Sequence, residues 1–213
     1  MNRILRILLT ASALFGTVSR LIVPIPGSPR WDPLLYFTVQ SNLMVCAFLL
    51  ADSAARAKAC AGKRAEAENR GAALPDRPAW HAVHGAVLLA ISMTGLVYNV
   101  LLAPGIDAAG YDAVIIFVNH TVTPALFVID WLVRQRQYAY RTGLIFPWLA
   151  YPAAYLVFGI LEGTATGHFR YPFLDYTSQD GAHFAAGLAL MVGFFVLTSR
   201  IIISLNRRMA HPS

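Results

Sequence analysis

Apolar residues run along this chain in six blocks, each closed by residues that helices avoid. The blocks fall at roughly 4–24, 34–52, 81–102, 112–133, 144–161 and 182–205. About 20 apolar residues carry an α-helix across a bilayer. Between the blocks stand Pro24-Ile25-Pro26-Gly27, Pro75 and Pro78, Pro104-Gly105, and the stretch from Gly163 to Pro172, all breaker-rich. The pattern predicts an all-α fold: one polytopic six-helix transmembrane bundle spanning residues 1–213. The segment 53–80, rich in Ala, Arg and Glu, reads as a solvated basic loop or as a surface helix that extends the second span. Residues 1–13 also fit a signal peptide ending at Ala11-Ser12-Ala13, but the apolar stretch runs on past Arg20 and favours a retained span.

Composition agrees with a membrane solvent. The chain is 57% hydrophobic and 13% charged, where soluble domains carry about 25% charged residues. A formal charge of +6 raises nucleic acid as a partner, but no basic stripe interleaved with aromatics supports it. Topology accounts for the charge better. Arg3, Arg6, Arg56, Lys58, Lys63, Arg64, Arg70, Arg77, Arg134, Arg136, Arg141, Arg207 and Arg208 all fall on one face of a six-span chain, against Arg30 and Arg170 on the other, with Arg20 and Arg200 near span ends. The positive-inside rule then makes both termini cytoplasmic and puts 163–181 in an outer loop. Trp80, Trp131 and Trp148 read as interfacial anchors. Cys46 and Cys60 form neither a disulfide framework nor a metal spacing. No P-loop or dinucleotide fingerprint is present, so the reading calls for no metal and no cofactor.

With orientation set, the polar residues inside the spans converge at one depth. Thr38 and His120 both fall in the outer half, and Tyr98, Asn99, Glu162 and His183 belong to the same level. Thr38, Ser41 and Asn42 share a helical face by their i, i+3, i+4 spacing. Intramembrane polar groups are costly and mark function by default. Thr38 has a plainer reading, a hydroxyl bonded back to its own helix. Asn42 and Asn99 have one as interhelical glue. Pro124 is expected to kink the fourth span just after His120 and free a carbonyl there.

Several segments taken together resemble a bacterial membrane-protein family: Tyr36-Phe37-Thr38-Val39-Gln40-Ser41-Asn42, Asn119-His120-Thr121-Val122-Thr123-Pro124, Asp130-Trp131, Tyr151-Pro152 and Tyr171-Pro172-Phe173-Leu174-Asp175. That family is similar to the eukaryotic androgen-induced-gene proteins and the androgen-dependent TFPI-regulating protein. The resemblance covers about residues 5–205. It implies a multi-span threonine hydrolase of fatty acid esters of hydroxy fatty acids, with Thr38 as nucleophile and His120 as the second essential residue. The substrate would be a lipid drawn from the bilayer, with the protein in the bacterial inner membrane.

The chemistry of the two residues fits that implication. A threonine hydroxyl needs an adjacent base, and a neutral imidazole supplies one. The side-chain amides of Asn42, Asn119 and Gln40, with Ser41 beside them, are the candidate oxyanion and substrate contacts. Glu162, His183 and Asn99 are candidates to orient the imidazole, with Tyr98 in support. Phe37, Phe117 and Phe127 are candidates to line an acyl tunnel. The rival readings are a transporter or non-catalytic scaffold, and a b-haem carrier using His84, His120 and His183.

Overall fold

A computed structural model describes residues 3–23, 25, 28–67, 78–105, 108–134 and 139–210. Among these, the regular elements are helices, with no strand. The long helices are α1 (Arg3–Ile22), α2 (Phe37–Ala67), α3 (Pro78–Val97), α4 (Gly110–Phe117), α5 (Thr123–Arg134), α6 (Ile145–Thr166) and α7 (Gly181–Ala210). A π turn, Val118–Val122, joins α4 to α5 end to end, and another, Tyr98–Leu102, prolongs α3. Six stretches are therefore long and apolar enough to cross a membrane, as the hydrophobic pattern predicts. Six crossings bring Arg3 and Ala210 to one end of the bundle.

The structure moves two boundaries. The second span begins at Phe37 and not at 34, because Pro33 starts a short 3-10 turn, Asp32–Leu35, and Tyr36 leaves it extended. At the other end α2 continues to Ala67, so the basic segment extends the span as a helix. The rest of it, 68–77, lies outside the described residues.

The core forms where α1, α2, α3 and α5 meet, around Leu9, Ala13, Val45, Phe48, Leu88 and Phe127. Large apolar side chains such as Ile7, Leu50, Phe117, Phe146 and Leu190 point outward, as a lipid solvent permits. The tryptophans expected at the interface pack inward. Trp131 and Trp148 are buried, with Trp148 Nε1 bonded to the Ala82 carbonyl at 2.9 Å. A Cβ at Gly85 would collide with the Trp148 ring, so that glycine is what admits the indole between α3 and α6. Trp80 stacks on Phe48 and donates to Asp52 at 3.3 Å, beside the ion pair of Asp52 with Arg6 at 2.6 Å. These indoles pack into or against the core of the bundle.

Candidate active site

The start of α2 is fixed from α6. Tyr155 accepts the Phe37 amide proton at 3.0 Å and donates to the Leu35 carbonyl at 2.8 Å. The first amides of a helix have no intrahelical partner, so one hydroxyl both caps the turn and holds it in place. Phe37 stacks on Tyr151 and meets Tyr155 and Phe195 edge-on. Thr38 is thereby held in the first turn of α2, facing the π turn that carries His120.

Thr38 Oγ1 lies 3.0 Å from His120 Nε2. His120 Nδ1 lies 2.9 Å from the carbonyl of Ile116. A carbonyl only accepts, so Nδ1 carries the proton and Nε2 is left as the acceptor for the threonine hydroxyl. This is the tautomer a general base requires. The Tyr98 ring stacks on the imidazole, centroids 4.0 Å apart. Tyr98 and His120 both sit in π turns, which re-aim side chains and recur at functional sites.

Neither of the carboxylate or imidazole candidates orients His120. Glu162 bonds Arg170 at 2.8 Å. His183 pairs with Asp180 and its side chain is 80% exposed. Asn99 acts on the backbone, donating to the carbonyls of Gly95 at 2.8 Å and His120 at 3.1 Å. A main-chain carbonyl one helical turn back does the orienting, and sequence carries no side-chain signal for it.

The amide candidates for the oxyanion are likewise engaged elsewhere. Asn42 Nδ2 donates to the carbonyls of Thr38 at 2.8 Å and Asn119 at 3.2 Å. Asn119 Nδ2 donates to Gly16 at 3.0 Å, and a Cβ at Gly16 would collide with that side chain. Gln40 Nε2 turns to the Leu34 carbonyl at 2.9 Å and its Oε1 accepts from Tyr151 at 2.7 Å. Ser41 bonds the Thr38 carbonyl at 3.0 Å and Thr94 at 2.7 Å. These groups clamp α1, α2, α3 and the π turn together, the glue role open to asparagine from the outset.

The donors beside Thr38 come from elsewhere. Tyr171, in the loop after α6, lines both cavities together with Thr38, near enough for its phenol to feel Thr38 and Tyr155. Burial is the largest influence on the Tyr171 phenol and pushes its pKa up, against the opposing pull of Thr38 and Tyr155, so it is held in the neutral form. The loop that carries it is tied down by Arg170, which bonds Asp32 at 2.9 Å and Glu162 at 2.8 Å and lies 5.0 Å over the Tyr36 ring. Burial works against the Arg170 charge, but hydrogen bonds and charges of the two carboxylates outweigh it and push its pKa up. A signal in the sequence that could have placed this turn is Pro33, which opens the 3-10 turn ahead of α2; nothing local marks Tyr171 as a neighbour of Thr38.

Two cavities meet at the pair. A narrow one of about 50 Å³ is lined by Phe37, Val97, Leu156, Met191 and Phe195 with Thr38 and His120. A wider one of about 480 Å³ opens beside Arg20, Tyr36, Tyr98, Asp112, Arg170 and Tyr171, again with Thr38 and His120. Phe37 does line apolar space. Phe127 is core and Phe117 faces outward, so neither forms the tunnel. The third histidine of the haem reading, His84, is stacked between Phe48 and Phe127. It lies fourteen residues along the helix from Tyr98, about 21 Å from the ring that covers His120. His84 and His120 are therefore too far apart to share a haem, and His183 is paired with Asp180. No protein-family model matches this chain, and no curated protein or solved structure matches it.

Proposed function

We propose that this protein is an intramembrane threonine hydrolase of lipid esters, with Thr38 as nucleophile and His120 as general base. The observation that carries the reading is the 3.0 Å approach of Thr38 Oγ1 to a His120 Nε2 whose proton sits on the opposite nitrogen. Hydroxyl–imidazole contacts also occur as inert structure, but this one opens onto two cavities inside an apolar bundle. The resemblance to the threonine hydrolases assigns the same two residues and points to fatty acid esters of hydroxy fatty acids as substrates.

In the first half-reaction the Thr38 proton passes to Nε2 as Oγ1 attacks the ester carbonyl. The tetrahedral oxyanion takes hydrogen bonds from the Thr38 amide and the Tyr171 hydroxyl, at a helix N-terminus whose dipole favours negative charge. Collapse breaks the ester C–O bond, and Nε2 returns its proton to the departing alcohol. In the second half a water gives its proton to Nε2 and its oxygen to the acyl carbon. The acyl C–Oγ1 bond then breaks, Nε2 returns the proton to Oγ1, and the fatty acid and free Thr38 result. The narrow cavity suits an acyl chain, and the wider one suits the alcohol portion. By the distribution of basic residues both termini face the cytoplasm, which puts the reacting pair in the outer half of a bacterial inner membrane.

A fluorophosphonate probe tests the reading on purified full-length protein. Covalent labelling that maps to Thr38, and is lost in His120→Ala, is the expected result. Label that maps to other residues only, or its absence in folded protein, overturns the covalent mechanism.

A further inference from the structure

Both arginines of the wider cavity share it with Thr38 and His120, and they are used differently. Arg170 is ion-paired with two carboxylates, Asp32 and Glu162, which neutralise it. Arg20, near the end of α1, has Asp112 as its partner among the described residues, Nη2 to Oδ1 at 2.6 Å. A guanidinium holds five N–H donors in a planar fork, so one carboxylate oxygen leaves most of that capacity unused. The Arg20 side chain is 12% exposed and that of Asp112 is 45% exposed. A clamp between α1 and α4 accounts for the pair, but not for its opening onto the reacting residues. Asp112 shows what the fork accepts, and being half in the open it can give way to another carboxylate.

We propose that Arg20 is an anion-binding subsite that selects lipids carrying a carboxylate or phosphate group at a distance from the scissile ester. The assignment rests on the hydrolase reading for its place in a reaction, though the subsite itself is a binding site. Asp112 and His120 are eight residues apart on one continuous span, about 12 Å along its axis. An extended alkyl chain bridges that gap, so the anion and the ester would belong to one lipid lying in the cavity. Charge-assisted, two-pronged bonds of this kind are the strong class of hydrogen bond. A neutral ester of the same shape would forgo them.

The test compares charged and neutral partners in binding and in turnover, using full-length protein in nanodiscs. Binding is read from intrinsic fluorescence with hydroxystearate against its methyl ester. Turnover is read with an acylated hydroxystearate as free acid against its methyl ester, and with phosphatidylglycerol against diacylglycerol. The wild-type protein should prefer one charged partner at least tenfold. Arg20→Gln should erase that preference, and Asp112→Asn, which loses the clamp but keeps the cation, should retain it. Preference for the free acids identifies a carboxylate, and preference for phosphatidylglycerol identifies a phosphate. Equal binding of charged and neutral partners by the wild type overturns the subsite. So does a preference that survives Arg20→Gln, or that Asp112→Asn removes equally. Arg20-dependent binding without any ester turnover would sink the hydrolase reading and leave the subsite standing. Labelling of Thr38 with no charge preference would do the reverse.

Discussion

The side-chain amide of Asn99 donates to the main-chain carbonyl of His120 at 3.1 Å. In a regular helix that carbonyl would bond the amide of residue 124, but Pro124 has no N–H to give. Pro124 thus removes that partner, and the carbonyl of His120 takes a bond from the π turn that prolongs α3. Gly95 makes the approach possible, since a Cβ there would come within 3.2 Å of the same oxygen. Asn99→Ala should leave the carbonyl unpaired and loosen the π turn. Interhelical bonds of this kind contribute about 0.6 kcal/mol on average, so stability should fall slightly while hydrolysis falls about tenfold. Restoring an amide in the double variant with Pro124→Ala should recover part of the rate. No recovery, with both variants folded, would mean the carbonyl does not hold His120.

Thr38→Ala and His120→Ala should each abolish ester hydrolysis and leave the protein extractable and monodisperse. Thr38→Ser keeps the hydroxyl and should retain partial turnover. Wild-type turnover by Thr38→Ala on every lipid ester that the native protein cleaves would rule out the acyl-threonine.

Tyr171→Phe removes a hydroxyl and little volume. Loss of one oxyanion donor costs about 10² to 10³ in rate, and kcat should drop by that order with KM nearly unchanged. An unchanged kcat would move the oxyanion site away from Tyr171.

The pH profile follows from the same two side chains. A base must be neutral, so hydrolysis and fluorophosphonate labelling should fall together on acidification as His120 takes a proton. The Tyr171 phenol must keep its proton to donate. Its pKa is raised by burial, so the protonated form persists to higher pH and no alkaline loss should occur below the ordinary tyrosine range. A labelling rate indifferent to acid in folded protein would exclude His120 as the base.

Arg170→Ala strands Asp32 and Glu162 as buried charges. Breaking such a pair costs about 3–5 kcal/mol. The loop 167–180 should then become protease-sensitive, and turnover should fall as Tyr171 loses its anchor. Proteolysis of the native and variant proteins in nanodiscs checks this; equal cleavage would show that the ion pairs do not fix the loop.

The topology is open to a direct check in cells. A cysteine at Asp175 should react with an impermeant thiol reagent, and Cys60 should not. Labelling confined to Cys60 would invert the bundle and put the reacting pair in the other half of the membrane.

By itself the sequence determined the number, the approximate limits and the lipid environment of the spans. Hydrophobic length and breaker residues are local properties, and they are legible without knowing what packs where. It also singled out Thr38 and His120, because a hydroxyl and an imidazole are conspicuous in an apolar run. Which groups serve that pair was decided only by tertiary structure. Asn42, Asn119 and Gln40 offered donors of the right type at the right depth, yet each turns to a backbone carbonyl that helix contacts or helix ends leave within reach. The Ile116 carbonyl, the Thr38 amide and the Tyr171 hydroxyl are the groups we propose for those roles instead. Two of the three are main-chain groups, which every residue possesses, and the third arrives from more than a hundred residues away along the chain. Hydrogen-bond partners are chosen by distance and direction in three dimensions, and composition along one dimension does not contain them.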